Sequence, residues 1–132
     1  PRYVVSKVQD ALNSSRKSIN GSKILVLGAA YKPDIDDLRE SPALDVIGLL
    51  AEKGADVTYH DPYCASLMTH EGEIMESVPG MLEAAALSDC VVIITNHKVY
   101  DYAALLEKSA LIVDTRNALG KSGRENAKVF GL

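Results

Sequence analysis

"KILVLGAAYKPDIDDLRESPALDVIGLL", residues 23–50, decides the fold. Lys23-Ile24-Leu25-Val26-Leu27 is a short, unbroken apolar run of the kind that forms a strand buried on both faces. Ser41-Pro42 reads as a helix start, with Ser41 as the cap and Pro42 in the first turn, where a missing N–H costs nothing. Between them, a dinucleotide-binding turn would carry G-x-G-x-x-G. Only Gly28 stands; Ala30 and Pro33 occupy the other two glycine places, and Lys32 and Arg39 are added. This junction keeps the strand-turn-helix form and replaces glycines with cations.

Outward from this junction, strand and helix patterns alternate. Residues 3–19 read as a helix with a Val4, Val8, Leu12 stripe flanked by Val5 and Ala11, ended by Asn20-Gly21. Leu44, Ile47, Leu50 and Ala51 form the expected buried face of the helix after Pro42, and Gly54 stops it. Residues 56–60 are a second strand ended by Asp61-Pro62. Residues 73–77 read as a short edge strand and Pro79 to Leu87 as a helix. Residues 90–95 read as a doubly buried strand, 102–108 as a helix, 110–114 as a strand, and 128–130 as a last strand. The alternation predicts an α/β, Rossmann-like, doubly wound parallel sheet of order 3-2-1-4-5, extended to a sixth strand by 128–130, and preceded by an N-terminal helix. Ligands of such sheets bind outside the carboxyl ends of the strands, where the order reverses.

The chain of 132 residues is long enough for one domain with a core, and 47% hydrophobic with 24% charged residues is ordinary globular composition. A net charge of −4 argues against a general nucleic-acid binder. No apolar run reaches membrane-spanning length and no signal peptide is visible. The chain does not begin with Met, which points to a piece of something longer. Cys64 and Cys90 match no metal spacing; Cys90 opens an apolar strand and reads as inert core, whereas Cys64 follows a turn and is expected to be exposed. Two isolated cysteines without a disulfide framework fit a reducing cytoplasm.

Three segments meet at the reversal point: the loop from Gly28 to Glu40, the Asn96-His97-Lys98 turn, and the Thr115-Arg116-Asn117 turn. Lys32, Arg39 and Arg116 converging there would suit a phosphate or pyrophosphate. The competing reading is solvated surface, with Arg39 paired to Asp36, Asp37 or Glu40. Tyr31 either stacks on a base or leans on the sheet edge. Asp61 stands where a Rossmann acid binds ribose hydroxyls, but it precedes Pro62, and a turn-forming role is the preferred reading. His60 and His97 have no metal partner at ligand spacing and read as structural, with His97 kept as an outside candidate. No metal site and no catalytic Ser-His-Asp or Cys-His set is recognisable.

"GAAYKPDIDDLRESPA" (28–43), with "YHDPY" (59–63), "SDCVVIITNH" (88–97) and "VDTRN" (113–117), resembles the UDP-glucose/GDP-mannose dehydrogenase family in its C-terminal UDP-binding domain. "PRYVVSKV" at the start resembles the end of that family's central helix. The resemblance implies residues 1–20 as the end of a central linker and dimerisation helix and 21–132 as the UDP-binding domain. It implies an oxidoreductase of polysaccharide biosynthesis that takes the C6 alcohol of a nucleotide sugar to a carboxylate with two NAD. The family's NAD domain and catalytic cysteine lie upstream. Neither Cys64 nor Cys90 has the cysteine's context, so no catalytic residue is expected in this chain, and the fragment alone should be inactive. Tyr31 and Lys32 map onto contacts to the UDP-sugar, Arg116 onto a further nucleotide-sugar contact, and Arg39 onto a contact to NAD across the cleft. Thr115 stands where the family commonly has glycine. "RYVVSKV" and "AYKPDIDDLRESPALDVI" look closest to the UDP-N-acetylglucosamine 6-dehydrogenase branch, with UDP-N-acetylmannosamine and UDP-glucose as alternatives. The implied partners are UDP-sugar, NAD and a second copy through the central helix. The helix stripe is expected to contribute to that self-association unless it packs wholly on this domain. Two other classes compete. A stand-alone nucleotide-binding module would lack an upstream catalytic domain. A phosphoacceptor receiver domain needs an acidic pair after the first strand, where Gly28-Ala29-Ala30 stand.

Overall fold

The computed structural model describes residues 1–30 and 41–132. Its centre is a five-stranded, all-parallel sheet. The strands are β1 (Lys23–Leu27), β2 (Asp56–His60), β5 (Cys90–Ile93), β6 (Ile112–Asp114) and β7 (Val129–Gly131), in the order β2-β1-β5-β6-β7. β3 (Ser66–Met68) and β4 (Ile74–Glu76) form a separate antiparallel pair. The helices are α1 (Arg2–Ser14), α2 (Pro42–Glu52), α3 (Met81–Leu87), α4 (Tyr102–Lys108) and α5 (Gly120–Arg124). Among the described residues no helix is long and apolar enough to cross a membrane.

The two-residue period of the strands divides the core into two layers. Ile24, Val26, Cys90, Val92 and Val113 face one layer with Val8 and Leu12 of α1 and Val46 and Leu50 of α2. Leu25, Leu27, Val91, Ile93 and Ile112 face the other with Ala85 of α3 and Leu105 of α4. Helices therefore cover both faces, which is why β1 and β5 carry unbroken apolar runs.

The expected doubly wound sheet is present, including the last strand. The expected third strand is not in it. Residues 74–76 instead pair with Ser66–Met68, and only the following Val78 reaches the sheet edge, its N–H donating to Tyr59 O at 2.9 Å. The short Ile74-Met75-Glu76 run, with Ile74 63% exposed, has one inward side chain and too little apolar surface to add a buried parallel strand. The first helix stops at Ser14 rather than 19. Arg16 takes a left-handed conformation (φ 60°), with Arg16 N–H on Asn13 O at 3.0 Å and Lys17 N–H on Leu12 O at 2.9 Å. This pair of bonds is a Schellman termination, formed here without glycine. Val5, Val8, Ala11 and Leu12 are buried in this chain's own core. In α2 the buried side chains are Ala43, Val46, Ile47 and Leu50, while Ala51 is exposed and Leu44 half-buried. Cys64 is buried, not exposed, its thiol directed at Ser66 O at 3.2 Å. Cys90 is core as expected, and burial pushes its thiol up to about 12.

Gly28 joins β1 to the turn that follows. Its φ is +89°, and a Cβ there would lie 2.5 Å from Thr95 Cβ and 2.7 Å from Thr95 N. The first glycine of the motif is thus required by the protein's own β5, whose C-terminal end packs against the bend. We expect Gly28→Ala to cost roughly 2–5 kcal/mol, combining left-handed strain of about 1–2 kcal/mol with overpacking of about 1–3 kcal/mol. Gly21 also has positive φ, but a methyl group added there would meet nothing within 4 Å, so Gly21→Ala should carry the strain alone. Urea unfolding midpoints of the two variants test this, and equal losses would refute the Thr95 contact as the cause.

Candidate functional site

The reversal point lies at the carboxyl end of β1, between β2 and β5. The register sets Leu27 beside His60 and Ile93. The turns after β1, β2 and β5 therefore start side by side. Gly28 N–H donates to His60 O at 2.9 Å, and Ile94 N–H donates to Leu27 O at 2.9 Å.

Asp61 joins these turns. Its Oδ2 accepts from Ala29 N–H at 2.7 Å and Ala30 N–H at 3.0 Å and lies 3.0 Å from His97 Nε2. Its Oδ1 accepts from Tyr63 N–H at 2.7 Å. The Asp61 and His97 side chains are both fully buried. Burial by itself would raise the carboxyl's pKa. The N–H groups of Ala30, Tyr63 and Ala29, with His97, outweigh it and hold the group below the usual carboxylate range. His97 is packed between the rings of Tyr63 and Tyr100, at centroid distances of 5.1 and 5.8 Å, and its carbonyl accepts from Tyr102 Oη at 2.7 Å. Tyr100 Oη reaches back to His60 O and Nδ1, both at 3.0 Å. Burial holds His60 below the usual imidazole range.

Two hydroxyls complete the frame. Ser41 caps α2 as expected, accepting from Ala43 N–H at 3.2 Å while donating to Ala29 O at 2.5 Å. Thr95 donates to Ala30 O at 2.6 Å. Ala30 and Ser41 are thus both tied to one frame, made of the Ala29–Ala30 turn and the α2 N-terminus. Tyr31, Lys32 and Arg39 lie outside the described residues.

Arg116 sits on the turn after β6, two ladder spacings from β1, or roughly 9–10 Å. Asp114 builds this turn: Oδ1 accepts from Arg116 N–H at 3.2 Å and Ala118 N–H at 3.0 Å, and Oδ2 from Leu119 N–H at 3.0 Å. Thr115, in the place where the resemblance has glycine, donates its hydroxyl to Ile93 O at 2.5 Å and so fixes the turn to β5. The Arg116 side chain is exposed, and no carboxylate among the described residues pairs with it. It borders a cleft of about 790 Å³ that also holds Arg124. A second concavity, of about 810 Å³, lies between α1, α2 and the β3–β4 pair and includes none of these turns. No group of three metal-ligating side chains occurs among the described residues.

This geometry can be set against the needs of a dinucleotide. Gly28 faces Thr95, no further glycine opens the turn, and the Asp61 side chain is fully buried and so closed to a ribose. The described residues do not fit NAD at this strand-turn-helix. The turn-forming reading of Asp61 holds through the Tyr63 bond, whereas its hold on Ala29 and Ala30 is not legible from the turn motif. The one signal for it is an acid closing a strand next to a turn of small residues. Asp114 has no clearer mark in "VDTRN", where the arginine is the conspicuous residue.

Because the folded Asp61 carboxyl is depressed, its contribution is present above the ordinary carboxylate pKa of about 3.9 and lost as pH falls through the lower folded value. Asp61→Asn should cost roughly 1–3 kcal/mol at neutral pH for each buried backbone N–H that the amide leaves unsatisfied. It should also flatten the acid limb of the stability profile. Denaturant titrations of both proteins from pH 7 downward measure this, and unchanged acid limbs would refute it.

The chain has relatives among known proteins. Residues 25–121 match the model of the UDP-glucose/GDP-mannose dehydrogenase family, UDP binding domain. A UDP-N-acetyl-D-mannosamine dehydrogenase of Methanococcus maripaludis is 32% identical over 130 residues, covering 92% of this chain and 28% of the relative. A UDP-glucose 6-dehydrogenase of Rhizobium meliloti is 40% identical over 108 residues, covering 78% of this chain and 25% of the relative. Among solved structures, a UDP-glucose dehydrogenase from Pyrobaculum islandicum superposes with a TM-score of 0.73 at 29% identity, over 98% of this chain and 29% of that one. An NDP-N-acetyl-D-galactosaminuronic acid dehydrogenase from Methanosarcina mazei Go1 does so at 0.80 and 25%, over 100% of this chain and 28% of that one. The chain spans less than a third of the length of these relatives. With a family model matched over most of its length, the chain belongs to the UDP-glucose/GDP-mannose dehydrogenase family, as its UDP-binding domain.

Proposed function

We propose that this chain is the nucleotide-sugar half of the active-site cleft of an NAD-dependent UDP-sugar 6-dehydrogenase, which oxidises the sugar's C6 alcohol to a carboxylate. The observation that carries the proposal is the placement of Arg116, exposed and without a carboxylate partner among the described residues, on a turn clamped by Asp114 at the same sheet edge as the fixed stems of segment 31–40. Segment 31–40 supplies Tyr31 and Lys32 to the UDP-sugar and Arg39 to NAD. Lys32 and Arg116 then bracket the pyrophosphate, whose charge is matched by an ammonium and a guanidinium. NAD and the catalytic cysteine belong to upstream parts of the enzyme, in keeping with the poor fit of this turn to a dinucleotide.

The relatives act, by name, on UDP-N-acetyl-D-mannosamine and UDP-glucose. Those two sugars are the first substrates to try, ahead of the UDP-N-acetylglucosamine suggested by "RYVVSKV". We place the enzyme in the cytoplasm, as a homodimer. Because the Val8–Leu12 stripe is buried in this domain, the contact between copies is assigned instead to α1's outward face, where Tyr3 is 59% exposed. Residues 1–20 are our assignment for the end of the linker helix, followed by the domain from 21 onward.

In the full-length enzyme, Lys32→Ala and Arg116→Ala should each weaken UDP-sugar binding by about 1.5–3 kcal/mol, or about ten- to a hundred-and-fifty-fold, and leave NAD binding nearly intact. Arg39→Ala should do the reverse. Direct titration of each ligand is the measurement, since Michaelis constants mix binding with the chemical steps. Folded variants that bind UDP-sugar as the wild type does would show these cations to be solvated surface.

A further inference from the structure

The cleft of about 790 Å³ beside Arg116 holds a second arginine, Arg124. It lies at the carboxyl ends of β6 and β7, where Asp114 pairs with Gly131. It therefore opens on the edge of the sheet where ligands of doubly wound folds bind. Arg124 reaches the cleft from the end of α5. Gly123 makes the approach possible: a Cβ there would lie 2.6 Å from Leu119 Cβ, and Leu119 N–H is bonded to Asp114 Oδ2 at 3.0 Å. Without a side chain at 123, the last turn of α5 closes onto the turn that Asp114 builds. Arg124 Nη1 then donates to Asn117 Oδ1 at 3.1 Å. Asn117 is itself held in a left-handed conformation (φ 54°), its carbonyl accepting from Gly120 N–H at 3.2 Å.

The polar groups of this cleft are unbalanced. Asp114 is the one acid among the described residues that line it, and both its oxygens are turned inward to the N–H groups of Arg116, Ala118 and Leu119. Arg116 and Arg124 are exposed, and no carboxylate among the described residues pairs with either. A guanidinium carries five N–H donors, and the Asn117 bond uses one of Arg124's. Two positive charges and a surplus of donors call for a ligand of the opposite kind, one that only accepts and is itself multiply charged. A pyrophosphate has that chemistry, and its oxygens match the guanidinium fork.

We propose that Arg124 contacts the pyrophosphate of the bound uridine nucleotide together with Arg116, as a second guanidinium steadied by Asn117. The inference rests on the UDP-binding reading above. It adds a phosphate-binding residue that lies outside residues 25–121, the part matched to the family model.

The test is calorimetric titration of the full-length enzyme with UDP. The wild type is compared with Arg124→Gln, Arg116→Ala and the double variant, and Lys121→Gln controls for bulk charge. Lys121 is on the same helix, but it lies 3.9 Å from Glu125 and does not line the cleft. Arg124→Gln should weaken UDP binding by roughly tenfold, the small end for a hydrogen bond to a charged group. Lys121→Gln should leave it unchanged. In the Arg116→Ala background, Arg124→Gln should weaken binding again, by roughly threefold or more, because it removes a separate contact. Were Arg124 only to anchor the turn that carries Arg116, that second loss would vanish. Melting midpoints without nucleotide check that each variant is folded, and Arg124→Ala serves the same comparison if the glutamine variant is not. Wild-type affinity in Arg124→Gln, an equal loss in Lys121→Gln, or no further loss in the Arg116→Ala background would overturn the assignment of Arg124 alone. Failure of the wild type to bind UDP at all would overturn the proposed function with it.

Discussion

One carboxylate holds three turns of this domain in register. Asp61 is fully buried, and desolvating an anion to that degree costs several kcal/mol unless its lone pairs are filled. They are filled by Ala29, Ala30 and Tyr63 N–H groups and by His97. These donors come from three parts of the binding edge: the turn after β1, the turn after β2, and the turn after β5. Charge-assisted bonds are roughly twice as strong as neutral ones, so the geometry of that edge is set before any ligand arrives. The aromatic rings around His97 keep the pair dry, and Ser41 and Thr95 fix the carbonyls of the same Ala29–Ala30 turn.

The arrangement explains how a strand-turn-helix of dinucleotide-binding form serves a different ligand. In the glycine-rich version, backbone N–H groups after the first strand face the pyrophosphate, and the acid after the second strand faces the ribose. Here those N–H groups and that acid bond to each other. In the function proposed above, phosphate recognition falls instead to side-chain cations, and Arg116 is carried on a turn that a second acid, Asp114, builds in the same way. Asp61 and Asp114 bind backbone inside the edge, and the Arg116 side chain is left exposed on the outside.

Much of the fold is legible in the sequence because local signals and the fold agree. Ile24 to Leu27 and Cys90 to Ile93 are apolar without interruption and lie at the centre of the sheet. Ser41 and Pro42 mark the start of α2 and are found there. The departures have physical causes. Residues 74–76 have strand character but too little apolar surface to join the sheet. α1 is terminated by Arg16, a residue with no intrinsic preference for the left-handed region. The short α5 contains Gly120 and Gly123, which disfavour a helix, so its sequence gives no helical signal. Arg116 is legible as a cation on the turn after a central-sheet strand, and the fold places it after β6. The partners of Asp61 and Asp114 are not, because each is a choice among backbone groups that only the folded turns at the strand ends bring within reach.

Native-state hydrogen exchange at the Ala29 and Ala30 amides tests the clamp most directly, since both lie beyond the end of β1 and neither takes part in the sheet ladder. If Asp61 fixes the binding edge in the absence of nucleotide, both amides are as strongly protected as those of Val26 and Leu27 and open only with the whole domain. Exchange of Ala29 and Ala30 at the rates of an unprotected loop, with β1 still protected, would contradict the account.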